Sequence, residues 1–231
     1  MSKILFVMTG VDHWTLADGT KHPTGFWAEE FVVPFEKLKA AGHEIVVATP
    51  GGVVPSVDES SLAAEVNGGQ ETAEHRAQVI AASAELNNPV VLADVGLADY
   101  AAVFYPGGHG PMEDLAVDAD SGRLLTAALT SGKPLAVVCH APAALLAATE
   151  DDGADSFAGY TLTGFTNAEE TQAGFAGKAK WLLQDRLIQI GADFREADPW
   201  TPNVVVDRTL ITGQNPASSA GVADELLKTL P

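Results

Sequence analysis

The sequence predicts an α/β fold, doubly wound, with a mostly parallel sheet covered by helices on both faces. Three observations carry this expectation. Short apolar runs alternate along the chain with stretches of helical periodicity, the pattern of β-α-β units. The runs are almost continuously apolar, as in Ala136-Val137-Val138-Cys139, which suits strands covered on both faces. Two of them end at loops or turns of small residues, Pro106-Gly107-Gly108-His109-Gly110 and Cys139-His140-Ala141, at the strand ends where open parallel sheets bind ligands.

Residues 3–8, "KILFVM", read as a buried first strand rather than a signal peptide, because no small-residue cleavage site follows. Residues 26–41 read as a helix interrupted near Pro34 and ended by Gly42. "HEIVVAT" at 43–49 is the second strand, and 71–84 a helix. "YAAVFYP" at 100–106 is the third strand, and 121–131 a helix stopped by Gly132. "PLAVVC" is the next strand, and "PAALLAAT" from Pro142 the next helix. "TLTGF" at 161–165 reads as a short strand, and 168–191 as one long helical pattern. "NVVVDRTLITG" gives two strands turning at Asp207-Arg208, and 219–229 a last helix. Together these make a flavodoxin-like sandwich, with residues 1–231 as a single domain.

Composition narrows the function classes. The chain of 231 residues is 46% hydrophobic and 19% charged, a globular balance, and no apolar run is long enough to span a bilayer. Thirteen basic against 31 acidic residues give a net charge of −18, which repels phosphate backbones and anionic membranes. Neither nucleic acid nor membrane is expected as a partner. One cysteine forms no internal disulfide, so a cytoplasmic location is the expectation.

That cysteine, Cys139, closes an apolar strand and is followed by His140, Ala141 and Pro142. A sharp strand-to-helix turn presents a nucleophile above a sheet and needs small neighbours, which the two alanines at 141 and 143 supply. Pro142 suits the first helical turn, whose dipole and free amides are expected to favour a thiolate. The competing reading is a buried structural cysteine. In "PGGHG", Gly107, Gly108 and His109 are candidates for substrate or oxyanion contact. Gly107 or Gly108 donates one amide, with the His140 amide as the second. In "TGFWAEEF", Glu29 and Glu30 open a helix among large apolar residues. A carboxyl buried there would have a raised pKa, and the residues alone leave open which of the two faces inward.

Taken together, "DGTKHPTGFWAEEFVVPF", "SLAAEVNG", "YPGGHGPMEDL", "LAVVCHAPAAL", "LTGFTNAEE" and "LITGQNPASS" resemble the ThiJ/PfpI branch of the class I glutamine-amidotransferase-like superfamily. The resemblance covers nearly the whole chain and is strongest to glutathione-independent glyoxalases (glyoxalase III) also described as heat-shock chaperones. The family's usual pattern has glycine after Cys-His, where this chain has Ala141. The resemblance selects Glu30 over Glu29 as partner of the thiol. It makes Glu170 the acid that orients His140, with Glu169 the rival if the register slips by one. It implies a 2-oxoaldehyde substrate such as methylglyoxal, a hemithioacetal on Cys139, lactate as product, no cofactor, no metal, and a homodimer. It also leaves alternatives: a holdase chaperone or redox sensor, a protein deglycase, and a cysteine peptidase built on Cys139 and His140. A glutaminase is disfavoured, because such enzymes place a base histidine well downstream of the cysteine and no histidine follows His140.

Overall fold

The computed structural model describes residues 1–150 and 152–230. Its strands are β1 (Lys3–Val7), β2 (His13–Thr15), β3 (Lys21–Pro23), β4 (Glu44–Thr49), β5 (Val90–Val91), β6 (Ala102–Tyr105), β7 (Leu135–Val138), β8 (Thr161–Leu162), β9 (Asp193–Phe194), β10 (Val204–Asp207) and β11 (Leu210–Gly213). Its α-helices are α1 (Ala28–Ala40), α2 (Gln70–Ala82), α3 (Ala84–Asn87), α4 (Gly110–Glu113), α5 (Ala119–Ser131), α6 (Asn167–Gln172), α7 (Leu183–Gln189) and α8 (Ser219–Thr229).

Seven strands form the central sheet in the order β10-β11-β7-β6-β1-β4-β5. Every neighbouring pair is parallel except the β10–β11 hairpin. β6, β7 and β11 are buried at all four positions, as near-continuous apolar strands in a covered sheet must be. The chain runs outward from β1 through β4 to β5, then crosses back to β6 on the other side of β1. That reversal opens a crevice at the carboxyl ends of β1 and β6, with β7 next in line, and such a crevice is where this architecture binds ligands. Helices flank the sheet: α1 packs on α2 and α8, and α5 on the segment that follows β7. Stacked Phe6 and Phe104 rings, 4.7 Å apart, join β1 to β6 within the core.

Three expected elements differ in the structure. Helix α1 runs unbroken through Pro34. Proline removes the N–H that would return to the Glu30 carbonyl, a cost of about 3 kcal/mol in a helix interior. Burial of Phe31, Val32, Phe35 and Leu38 on the core offsets that cost. The helix expected from Pro142 is instead a 3₁₀ segment, Ala141–Ala147. It passes so close to α5 that a Cβ on Gly122 would lie 2.1 Å from the Ala147 carbonyl oxygen. The long helical pattern over 168–191 divides into α6 and α7. Gly174, at φ +82°, ends α6, and the Phe175 N–H closes the turn on the Glu170 carbonyl. The hairpin β2–β3, too short to show a period, was not visible in the sequence.

Candidate active site

Cys139 follows the last residue of β7 and takes the left-handed conformation, φ +62°. A residue with a Cβ pays about 1–2 kcal/mol there, so the turn must be held by its surroundings. It is: the Cys139 N–H donates to the Gly213 carbonyl at 2.9 Å, and its own carbonyl accepts from the Phe165 N–H at 2.8 Å. The elbow is thus tied on one side to β11 and on the other to the loop before α6. Cys139 is 4% exposed and lies on the wall of a cavity of about 220 Å³.

Two acid–base partners reach the sulfur. The His140 ring turns back, placing Nδ1 3.3 Å from Sγ. Its Nε2 meets Glu170 Oε2 at 2.7 Å, while the other oxygen of Glu170 meets His109 Nε2 at 2.9 Å. Glu170, not Glu169, is therefore the acid on His140. Burial opposes its charge, but His140 and His109 outweigh that and hold the carboxyl far below the usual range. Burial lowers the His140 pKa, and the neighbouring His109 pushes the same way. A neutral ring donating Nε2–H to Glu170 leaves Nδ1 as a lone-pair acceptor facing the sulfur.

Glu30 is wholly buried near the start of α1. Its Oε2 accepts the Gly107 N–H at 2.7 Å, and Oε1 has no hydrogen-bond partner. Burial drives its pKa well above the carboxylate range, with Cys139 and the Gly107 amide pulling against it. Glu29 turns away to Arg76, whose guanidinium lies 3.2 Å from its carboxylate. The thiol moves opposite to expectation. Burial and then the charge of Glu30 raise Cys139 well above the ordinary thiol range, and the Gly108 amide lowers it only in part. The segment after the elbow is a short 3₁₀ turn, and its amides do not overcome a desolvated sulfur beside a carboxylate. The sulfur therefore holds its proton more tightly than a free thiol, and ionising it requires an acceptor for that proton.

The Pro106–Gly110 loop reaches into the same space. A Cβ on Gly107 would lie 2.6 Å from the Val138 carbonyl and 2.8 Å from both the His140 nitrogen and Glu30 Oε2. Only glycine fits that approach. Among the described residues, the Gly108 and His140 amides have no protein oxygen as partner. His109 also lines the cavity. Its ring lies between Trp14, stacked at 4.5 Å, and His140, at 4.1 Å, and it braces Glu170. His109, His140 and Glu170 also offer ligand atoms within 4.8 Å of one another, the one such trio among the described residues. Their mutual hydrogen bonds make the trio a carboxylate shared by two imidazoles.

Several wall residues were not foreseen: Trp27, Phe165, Phe175 and Trp200, with His22 and Asp58 near the mouth. They come from distant loops without local periodicity, so no pattern in the sequence marks them. Glu169 also has a role of its own. Both its oxygens are occupied, by Thr166, Gln214, Asn215 and the Trp200 backbone N–H.

A family model described as "DJ-1/PfpI family" matches residues 23–229. The chain belongs to the DJ-1/PfpI family. Among curated relatives, the protein/nucleic acid deglycase HchA of Pseudomonas aeruginosa is 29% identical over 235 residues, covering 99% of this chain and 80% of its own. The HchA of Staphylococcus aureus is 28% identical over 228 residues, covering 94% and 76%. Among solved structures, glyoxalase III of Candida albicans superposes with a TM-score of 0.85 at 26% identity, over 100% of this chain and 98% of that one. The Rapid Encystment Protein 24 kDa of Francisella tularensis gives 0.88 at 26% identity, over 100% of both chains. The DJ-1/PfpI relatives share the parallel sheet with flanking helices. No described helix is long and apolar enough to cross a membrane.

Proposed function

We propose that this DJ-1/PfpI protein is a glutathione-independent glyoxalase that adds water across a 2-oxoaldehyde such as methylglyoxal to give a 2-hydroxy acid such as lactate. The observation that carries the reading is the Cys139 sulfur on the wall of a small cavity, with two separate proton acceptors beside it. Cys139 Sγ attacks the aldehyde carbon and forms the S–C bond. The thiol proton passes to Glu30, whose raised pKa lets it both accept and hold a proton near neutrality. The carbonyl pair moves onto oxygen, facing the Gly108 and His140 amides. His140 Nδ1 then takes the hydrogen of the former aldehyde carbon as a proton and returns it to the adjacent carbon through an enediol. This oxidises one carbon to a thioester and reduces its neighbour to a carbinol, with no external electron acceptor. Glu170 keeps Nε2 protonated throughout, so that Nδ1 stays the basic nitrogen. Water cleaves the thioester and restores the thiol.

The names of the HchA relatives support a second reading, removal of the same aldehydes from glycated side chains or bases. The near-closed sulfur favours the free aldehyde, because a macromolecular adduct must thread its arm into the cavity. The test is to incubate the purified protein with methylglyoxal in the absence of glutathione and assay lactate. Turnover that is absent in Cys139→Ala is expected. No lactate from wild type, or equal lactate from Cys139→Ala, defeats the reading.

A further inference from the structure

We infer that the cavity selects neutral 2-oxoaldehydes with a flat apolar substituent, arylglyoxals above methylglyoxal, and that Trp200 is the residue that sets this preference. The inference rests on the glyoxalase reading and specifies its substrate class. It begins with the walls. Trp27, Phe165, Phe175 and Trp200 surround the space in front of the sulfur, far more apolar surface than a single methyl group can cover. No lysine or arginine among the described residues lines it, while Asp58 does. A carboxylate or phosphate on the substrate would meet no counter-charge and would face Asp58. The site therefore suits an uncharged substituent.

Trp200 stands apart from the other three. It is 46% exposed, has φ +64°, and sits edge-on to Phe165 with ring centroids 5.5 Å apart. Bulky residues avoid the left-handed region, so something must hold it there. Its backbone N–H donates to Glu169 Oε1 at 2.9 Å, and its indole Nε1–H donates to Gln172 Oε1 at 2.6 Å. Glu169 in turn is fixed by Asn215 at 2.8 Å, Gln214 at 3.2 Å and its own capping box with Thr166. The first turn of one short helix thus does two jobs with adjacent acids: Glu170 orients the catalytic histidine, and Glu169 fixes an indole against the mouth. An indole held this firmly in an unfavourable conformation makes a rigid plate on which a planar ring can lie.

The test measures kcat/KM for phenylglyoxal and methylglyoxal without glutathione, in wild type, Trp200→Ala and Trp200→Phe. The readout is the ratio of the two values, so a general loss of activity cancels. Wild type is expected to favour phenylglyoxal by about tenfold or more, the discrimination an apolar pocket supplies. Trp200→Ala should bring the ratio close to one through KM, and Trp200→Phe should restore most of it. A wild-type ratio of one or below, or a ratio unchanged in Trp200→Ala, overturns the inference while leaving the glyoxalase reading intact. A second measurement needs no turnover: protection of Cys139 from iodoacetamide by acetophenone, with acetone as control. Protection by acetophenone alone, weakened in Trp200→Ala, supports the plate even if neither aldehyde is turned over. Equal protection by both ketones overturns it.

Discussion

Replacing Glu30 by glutamine separates the chemistry of the site from its stability. The carboxyl is fully buried, with one oxygen on the Gly107 amide and the other unpartnered. Glutamine keeps an oxygen for that amide and cannot ionise. An unfolded glutamate titrates near pH 4.3, whereas burial raises the folded group well above that. Between those two values the folded state binds one more proton than the unfolded state. Each pH unit climbed in that window then costs wild type about 1.4 kcal/mol, and the glutamine variant escapes this loss. The sign follows: Glu30 contributes most stability when protonated, and loses it as pH rises towards its folded pKa. From pH 5 to pH 7 the variant should gain on wild type by up to about 2.8 kcal/mol, twice the per-unit figure. Cys139 is silent in this window because its pKa is raised. Urea denaturation at both pH values reads the difference directly. Turnover should fall by about 10²–10⁴-fold at the same time, the range for a lost acid–base group. If the stability difference between variant and wild type stays constant from pH 5 to pH 7, Glu30 is already ionised in the folded protein. Its pKa is then not raised, and the argument that it can hold the thiol proton near neutrality fails.

Glu170→Gln should lower turnover by about 10²–10⁴-fold without unfolding the protein, because an uncharged amide has one acceptor oxygen for two histidines and no longer fixes the His140 tautomer; steady-state kinetics with circular dichroism checks both halves. The same substitution should destabilise at pH 7, with the penalty fading as pH falls below the carboxylate range, since a depressed pKa contributes stability only above the unfolded value. Gly107→Ala should cost about 1–3 kcal/mol and abolish activity, because the added methyl meets the Val138 carbonyl at 2.6 Å; thermal melts and the lactate assay test it. Cys139→Gly should be more stable than Cys139→Ala by about 1 kcal/mol, because glycine relieves the φ of +62°, and an equal pair of melting curves would show that the elbow is unstrained.

The sequence made the sheet legible because its strands are buried on both faces and therefore spell out unbroken apolar runs. Cys139 and the Gly107–Gly108 loop stand out in the sequence for the same reason: each sits where such a run ends. What stayed hidden depended on contacts between distant segments. Pro34 reads as a helix breaker, yet the apolar face around it carries α1 through. The pattern over 168–191 reads as one helix, yet Gly174 stops it and lets Phe175 turn in against His109 and His22. Glu29 and Glu30 are adjacent acids with no sequence signal to separate them; Arg76 claims one and Gly107 the other. The state of the thiol was misjudged because a dipole argument counts the amides near a sulfur and leaves out the cost of removing it from water.

The amide of Cys139 hangs on the carbonyl of Gly213, at the tip of a strand formed late in the chain. Over that tip lies α8, packed so tightly that a methyl on Gly213 would come within 2.6 Å of Val222. The closing helix is thus the backstop of the reactive turn, although no side chain of it faces the cavity. A lesion there, or a chain cut short before Val222, should disarm the sulfur from behind and leave every residue around the substrate unaltered. Damage far from the chemistry would then look, in an assay, like damage to the chemistry itself.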